Sequence, residues 1–190
     1  MKELISSGLE ALGLTGSVPP DAAEKLAEYG RLLLEKNQVM NLTAIRDEAG
    51  GARLHMLDCA ALLPCADLTG ARTLLDVGTG AGFPGLPLKI LLPQLDVTLL
   101  DSLNKRVDWL NEVSAQLGLT GVRAIQGRAE EKALEKSMRD SFDLVTARAV
   151  ADLRLLSELC LPFVKVGGRF LSMKSVDSDQ ELVPGELEKE

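Results

Sequence analysis

The spacing of apolar residues changes near residue 72, and the two parts of the chain predict different kinds of structure. In the first part, apolar side chains recur every three or four residues, which is typical of amphipathic helices. This spacing predicts helices over residues 3–12, from Asp21 to near Asn37, and over residues 50–63, with Pro64 ending the last. Asp21 and Glu24 have the spacing of a capping box at the start of the second helix. Residues 40–45 are expected to be extended or looped.

After residue 72, short apolar runs alternate with helical patterns. The runs predict strands at residues 73–77, 97–100, 122–126, 142–146 and 169–173. The patterns between them predict helices at residues 86–92, 104–117, 129–138 and 153–160. Strands separated by such helices pair in parallel through right-handed crossovers. The sequence therefore predicts one compact α/β unit: an N-terminal helical cap over residues 1–66 and a doubly wound, Rossmann-like sheet over residues 67–190.

Composition narrows the class of protein. A chain of 190 residues that is 46% hydrophobic can form one folded core and is not a disordered segment. It contains no apolar run of the roughly 18 residues that a membrane span needs, and its first residues form no apolar signal core. The three cysteines form no C-x-x-C pair and there is one histidine, so we expect reduced thiols and no metal site. We expect a cytoplasmic monomer.

The charge balance by itself favours an enzyme acting on a small molecule. The net charge of −7 is not typical of a nucleic-acid binder, and aromatic residues, which stack on bases, make up 3% of the chain. Net charge does not exclude RNA, because binding depends on a local basic face. The bases that could form such a face are Arg46, Arg53, Lys105, Arg106, Arg123, Arg128, Arg148 and Lys174.

A glycine-rich loop follows the first predicted strand. Gly78, Gly80 and Gly82 have the spacing G-x-G-x-G, whereas a dinucleotide loop has G-x-G-x-x-G and would need a glycine at Phe83. Glycines at the start of a helix let a ligand approach the backbone and its free N–H groups. Asp76, two residues before the loop, suits a nucleoside with a cationic sulfonium end better than a pyrophosphate. A tight strand-to-helix turn without a ligand is the alternative.

A second acid supports a nucleoside site. Asp101 ends the second predicted strand, where a carboxylate can accept from both ribose hydroxyls; an acid that stabilises the next helix is the alternative. Arg128, Ala129 and Glu130 follow the third strand and would lie along the adenine edge. This arrangement resembles the class I S-adenosylmethionine-dependent methyltransferases.

The sequence disfavours two kinds of methyl acceptor, exocyclic amino groups and carbon 5 of pyrimidines. The [ND]-P-P-[YF] loop of exocyclic-amino methyltransferases is replaced by T-A-R-A-V-A at residues 146–151. Methylation at carbon 5 of pyrimidines needs a nucleophilic cysteine, but Cys65 precedes the glycine loop and Cys160 falls in an apolar helix pattern.

The motifs and their order resemble the RsmG (GidB) family, the 16S ribosomal RNA guanine-N7 methyltransferases. The resemblance is carried by residues 41–45, 55–58, 76–87, 100–106, 128–130 and 146–151. It implies S-adenosylmethionine as cofactor, 16S rRNA or a small-subunit precursor as partner, and N7 of a guanine as acceptor. The family usually has Asp-Ser where this chain has Asp58 and Cys59, and it continues beyond the equivalent of Glu190 with a helix, two strands and a basic tail. We therefore expect a sheet without those last strands.

The resemblance also implies roles for individual residues. Cofactor-binding positions are Gly78, Gly80, Phe83, Asp101, Ser102, Ala129, Glu130 and Arg148. Arg148, Asn41 and His55 are the catalytic candidates; an ion pair with Asp152 or Asp76 is the alternative for Arg148. Asn41, His55 and Asp58 could either shape the cleft or touch guanine. Phe83 could stack on a flipped base, as could the Arg148 guanidinium, or it could pack under the cofactor.

The implied chemistry suits a chain with one histidine. Guanine N7 carries a lone pair and no proton at neutral pH, so the enzyme mainly has to align the reacting groups. Two other functions stay open at this point: a class I methyltransferase of a small molecule, and a catalytically weak cofactor- or RNA-binding module.

Overall fold

Five parallel strands form the centre of the structure, a computed structural model that describes residues 1–68, 70–148 and 152–173. The strands are β1 Thr73–Val77, β2 Asp96–Asp101, β3 Val122–Gln126, β4 Phe142–Arg148 and β5 Val164–Met173. Their order across the sheet is β3-β2-β1-β4-β5, and every neighbouring pair is parallel. The chain reverses its direction of winding between β1 and β4, so the carboxyl ends of these two strands open a crevice. The predicted doubly wound sheet is confirmed.

Helices connect the strands: α6 Gly85–Leu91, α7 Asn104–Gln116, α8 Ala129–Lys132 and α9 Leu153–Cys160. The prediction for residues 129–138 was too long, since α8 has four residues. Beyond it Leu134 is 80% exposed, so the segment has no continuous apolar face to hold a longer helix on the sheet.

The fifth strand begins earlier than predicted. β5 starts at Val164, and its pairing with β4 shifts register between Phe142 and Leu144. Gly167 and Gly168 lie inside this strand and made its first half resemble a loop.

The N-terminal part is helical, as predicted, but differs in detail. Its elements are α1 Lys2–Ala11, α2 Ala22–Met40, α3 Glu48–Gly51, a π-helical turn Ala52–Leu57, α4 Asp58–Ala60 and α5 Leu62–Cys65. Pro64 lies inside the first turn of α5, where its missing N–H is not needed, so it does not end the segment. The capping box is wrong, because the Asp21 carboxylate caps no backbone N–H and pairs with Lys25 at 2.9 Å.

The core lies on both faces of the sheet. On one face, α1, α2 and the π-helical turn pack on the sheet in a single cluster that includes Ile5, Leu26, Met56, Leu74 and Leu88. On the other face, α9 and the chain before β5 pack on β1 and β4. The N-terminal helices therefore share their core with the sheet.

The described part of the chain has neither a candidate membrane span nor a candidate metal-binding cluster. No helix there is long and apolar enough to cross a membrane. In those same residues, no group of three or more His, Cys, Asp or Glu side chains could hold a metal ion.

Candidate active site

The carboxyl end of β1 is organised by Asp76, which is fully buried. Its Oδ2 accepts from the Thr79 hydroxyl at 2.6 Å and from the Gly85 N–H at 3.0 Å, and its Oδ1 accepts from the Thr146 hydroxyl at 2.9 Å. Burial raises the pKa of Asp76 to about 6, while these three donors favour the carboxylate. Both oxygens are thus engaged by the protein, and Asp76 holds the shape of the glycine loop instead of presenting a free charge to a ligand.

The glycine loop itself is open to a ligand at Gly80. Gly78 and Gly80 have φ values of 65° and 60°, in the left-handed region that glycine adopts without strain. A Cβ added to Gly80 would meet no atom closer than the Gly78 carbonyl oxygen, at 4.0 Å. A ligand can therefore approach the backbone at this point.

Asp101, at the end of β2, lies directly against this loop. The residue is 3% exposed, its Oδ2 accepts from the Gly80 N–H at 2.9 Å and its Oδ1 accepts from the Leu103 N–H at 3.0 Å. The Arg106 guanidinium approaches Oδ2 at 3.5 Å. Each carboxylate oxygen has two lone pairs, so Asp101 retains capacity to accept further hydrogen bonds.

The strand ends beside Asp101 bring the other predicted cofactor positions close to it. Gln126, the last residue of β3, donates to the Ser102 carbonyl at 3.0 Å, and the Gly127 N–H donates to the Asp101 carbonyl at 3.0 Å. Ala129 and Glu130 then begin α8, with Glu130 exposed. Predicted positions on three segments of the chain thus meet at one edge of the sheet: Gly78, Gly80, Asp101, Ser102, Ala129 and Glu130.

A second group of side chains lies around Arg148, at the end of β4. Its guanidinium carbon is 4.6 Å from the centroid of the Phe83 ring. Its Nη2 is 3.2 Å from Nδ1 of His55, and its Nη1 is 3.7 Å from Oδ2 of Asp58. Arg148 therefore contacts the glycine loop and the π-helical turn together, and its ion pair is with Asp58 instead of Asp76 or Asp152.

Phe83 is covered by protein side chains and is 4% exposed. Its ring stacks on that of His55, with centroids 4.5 Å apart and planes at 21°, and lies 5.3 Å from the ring of Tyr29. The ring therefore joins the helical cap to the glycine loop, and base stacking on it would require these neighbours to move.

His55 is 8% exposed and neutral at pH 7. Burial lowers its pKa to about 4, and the positive charge of Arg148 acts in the same direction. Its Nε2 is 2.7 Å from the Thr43 hydroxyl oxygen. Both ring nitrogens thus face protein groups.

Asn41 ends α2 in the left-handed conformation, with φ 48° and ψ 55°. Its side chain is exposed and makes no hydrogen bond to another residue of the described chain. Sequence reasoning missed Asn37, one turn earlier, which is buried and bonds to the loop over residues 42–45. The sequence did indicate that Asn37 is buried, because it lies four residues after Leu33 and eight after Tyr29, on the buried side of α2.

The basic residues considered for an RNA face fall into two groups. Arg106 approaches Asp101, and Arg123 donates to the Thr98 hydroxyl at 2.9 Å. The second group is exposed, and its side chains form no hydrogen bond or ion pair within residues 1–68, 70–148 and 152–173: Arg46, Arg53, Lys105 and Arg128. Lys174 and residues 149–151 lie outside the described residues.

The buried cysteines are poor nucleophiles. Burial raises the pKa of Cys160 to about 12 and raises that of Cys59 further. This agrees with the expectation that Cys160 packs in an apolar helix.

The sheet order and the glycine loop define a Rossmann-like fold of the class I methyltransferase type. Coclaurine N-methyltransferase, solved with N-methylheliamine and SAH, shares this fold with a TM-score of 0.53. That match covers 90% of this chain and 56% of that chain at 17% identity, so the likeness concerns the fold alone.

The family described as rRNA small subunit methyltransferase G, GidB, matches residues 22–188. Two relatives carry the name ribosomal RNA small subunit methyltransferase G. The one from Clostridium beijerinckii is 45% identical over 95% of this chain and 75% of its own length. The one from Alkaliphilus metalliredigens is 46% identical over the same shares. The chain belongs to the GidB family, which confirms the resemblance seen in its motifs.

Proposed function

We propose that this protein transfers a methyl group from S-adenosylmethionine to N7 of a guanine in the 16S rRNA of the small ribosomal subunit. Family membership and the names of its relatives support methyl transfer to small-subunit rRNA. The choice of N7 is supported by one observation above all: His55 and Asp76, two buried titratable groups beside the crevice, are already bound by protein partners, so neither is free to remove a proton.

The chain's own residues fit the cofactor. Asp101 would accept from the ribose hydroxyls, because it lies against the open face of the loop at Gly80 and retains free lone pairs. Ser102 would lie beside the same sugar, and Ala129 and Glu130 along the adenine edge. When bound, S-adenosylmethionine supplies a methyl group activated by a sulfonium charge.

The acceptor needs orientation more than acid–base chemistry. N7 of guanine has an in-plane lone pair and no proton, so no base has to act before the N–C bond forms. Placing the acceptor in line with the methyl group is catalysis by proximity. Arg148 would supply that placement by contacting guanine O6 or a phosphate, because a hydrogen bond to N7 itself would block the reaction.

A methyl-transfer assay tests the function. Purified protein is incubated with labelled S-adenosylmethionine and, in separate reactions, immature small subunits, free 16S rRNA and small-molecule acceptors. We expect label in 16S rRNA, recovered by mass spectrometry as 7-methylguanosine. Label at another atom would contradict the N7 assignment, and label in a small acceptor alone would contradict RNA as substrate.

Arg148→Lys tests the placement of the acceptor. Lysine keeps the charge and loses the planar guanidinium, so we expect methyl transfer to fall at least about tenfold, or about 1.4 kcal/mol in transition-state stabilisation. The melting temperature should change little. Arg31→Lys is the matched control, since Arg31 forms exposed ion pairs on α2. Wild-type turnover in Arg148→Lys would remove Arg148 from the site, and a parallel loss of stability would assign it to the ion pair with Asp58.

A further inference from the structure

A continuous set of hydrogen bonds runs from α2 to the guanidinium of Arg148, and the proposed reaction does not use it for proton transfer. We propose that Asn37, Thr43 and His55 form a positioning chain that fixes the orientation of Arg148, with His55 acting as a neutral hydrogen-bond acceptor. Its effect on methyl transfer rests on the proposed function, whereas the state of His55 can be measured without it.

The chain begins at Asn37, which is buried in α2. Its Oδ1 accepts from the N–H groups of Leu42 at 2.6 Å and Thr43 at 3.0 Å. Its Nδ2 donates to the carbonyls of Thr43 at 2.9 Å and Ile45 at 3.4 Å. An amide side chain has two acceptor and two donor positions, and all four are used here. Asn37 therefore fixes the loop over residues 42–45 against the end of α2.

Thr43 transmits this constraint to the histidine. Its hydroxyl oxygen accepts from the Ile45 N–H at 3.1 Å and lies 2.7 Å from Nε2 of His55. The loop thus fixes the hydroxyl, and the hydroxyl fixes one side of the imidazole ring.

The partners of His55 permit two tautomers, and the hydrogen bond from Arg148 selects one of them. Arg148 has only donors, so its Nη2, 3.2 Å from Nδ1, requires a lone pair on that nitrogen. A neutral imidazole has one acceptor nitrogen, so with Arg148 donating to Nδ1 the proton is on Nε2, from which it is donated to Thr43. The Leu54 carbonyl, 3.1 Å from Nδ1, then accepts from Nη1 of Arg148 at 3.3 Å. A proton on Nδ1 would instead be donated to the Leu54 carbonyl, and Nη2 of Arg148 would lose its acceptor on the ring.

The result is a guanidinium whose plane is set before substrate binds. Arg148 lies on the Phe83 ring at 4.6 Å, and His55 stacks on the same ring at 4.5 Å. The Arg148 side chain is 19% exposed, so part of it stays accessible while the rest is held by protein contacts. A catalytic group held in this way loses little freedom when the reacting groups are aligned.

Thr43→Val tests the chain kinetically, because valine keeps the shape of threonine and removes the hydroxyl. We expect kcat for methyl transfer to fall about fivefold, the effect of one lost hydrogen bond, with an unchanged KM for S-adenosylmethionine. Thr43→Ser retains the hydroxyl and should restore activity. In an Arg148→Lys background, Thr43→Val should cause no further loss, because the group on which it acts is already gone. An equal loss in both backgrounds would overturn the proposal.

Nuclear magnetic resonance of the wild-type protein tests it without any substrate. His55 is the single histidine, so protein labelled with ¹⁵N-histidine and free of a purification tag gives one pair of imidazole nitrogen signals. We expect the neutral Nε2–H tautomer at pH 7, and a mixture of tautomers in Thr43→Val and in Arg148→Lys. A charged ring or the Nδ1–H tautomer in the wild type would overturn the positioning chain. If the expected tautomer is found and the RNA assay fails, the error lies in the proposed function instead.

Discussion

At the scale of single residues, two buried aspartates at neighbouring strand ends differ in what they leave available to a ligand. Asp76 binds two hydroxyls and one backbone N–H, so its role is to hold the loop together. Asp101 accepts from the backbone of Gly80 and Leu103 at the edge where the glycine loop is open. Although both acids lie near the ends of buried strands, we therefore propose Asp101 as the one that binds the cofactor.

Asp101→Ala tests this assignment. Removing the carboxylate should weaken binding of S-adenosylmethionine by about 1–3 kcal/mol, because charge-assisted bonds to the ribose are lost. Isothermal titration calorimetry measures the affinity, and Asp108→Ala is the control because Asp108 is an exposed acid on α7. NADH should not bind either the wild type or the variant. Equal affinity in Asp101→Ala and wild type would contradict the ribose assignment.

At the scale of elements, the sequence predicted those parts that local patterns determine. β1 and β3 were predicted with the bounds that they have, because each is a short run next to a turn or a glycine. The π-helical turn was not predicted, since the spacing of apolar residues in 50–63 fits an α-helix equally well. The first half of β5 was missed because pairing with β4, a contact distant in sequence, overrides its two glycines.

Some residues of the candidate site could likewise be predicted from local patterns, whereas the contacts between its parts could not. The glycine loop, Asp101 and Arg148 could be predicted because the loop follows β1 and the two side chains end β2 and β4, all at the same edge of the sheet. The contacts of His55 could not, since its partner Arg148 is 93 residues away in the chain. Such contacts depend on how the helical cap packs on the sheet, which no local pattern contains.

At the amino ends of the strands, opposite the candidate site, Asp143 links the start of β1 to the start of β4. It accepts from the N–H groups of Arg72 at 2.8 Å and Thr73 at 2.9 Å, and from the Thr73 hydroxyl at 3.1 Å. It also forms an ion pair with Lys165, at the start of β5. Burial alone would raise the pKa of Asp143, but these donors hold it well below its usual range.

Asp143→Asn should therefore destabilise the sheet. The amide keeps the size of the side chain but loses the charge, and hydrogen bonds to charged groups contribute about 1.5–3 kcal/mol each, so we expect the free energy of unfolding to fall by about 2–3 kcal/mol. Urea denaturation measures it, with Asp108→Asn as an exposed control. Binding of S-adenosylmethionine should not change, because Asp143 lies at the other edge of the sheet. A stability equal to that of Asp108→Asn would contradict the role of Asp143.

At the scale of the whole molecule, the candidate site lies where the helical cap meets the sheet. Tyr29 of α2 donates to the Ala81 carbonyl in the glycine loop at 2.6 Å, and His55 of the π-helical turn contacts Arg148 of β4. The apolar cluster beneath them contains side chains from both parts. We propose that residues 1–66 and the sheet fold as one cooperative unit, because neither buries its apolar face without the other.

This shared interior makes overall stability depend on two buried groups that titrate in opposite senses. Burial lowers the pKa of His55 from 6.5 to about 4, so between these values the unfolded chain binds a proton that the folded one does not, and stability falls as the pH is lowered. Burial raises the pKa of Asp76 from 3.8 to about 6, so over nearly the same range the folded state binds the extra proton, and stability rises as the pH is lowered. In the wild type the two contributions largely cancel.

His55→Gln removes the contribution of His55 and should leave that of Asp76 without its opposing effect. Between pH 7 and pH 4.5, the free energy of unfolding of His55→Gln should rise relative to that of the wild type by about 2 kcal/mol, since one pKa unit corresponds to about 1.4 kcal/mol. Urea denaturation of both proteins at a series of pH values measures this difference, from which the titration of all other carboxylates cancels. The absolute stability of His55→Gln at pH 7 does not enter the comparison, so a general loss of packing cannot produce the expected result. Parallel curves for the two proteins would show that His55 takes up its proton as readily in the folded protein as in the unfolded chain, and that its ring is not held neutral between Thr43 and Arg148.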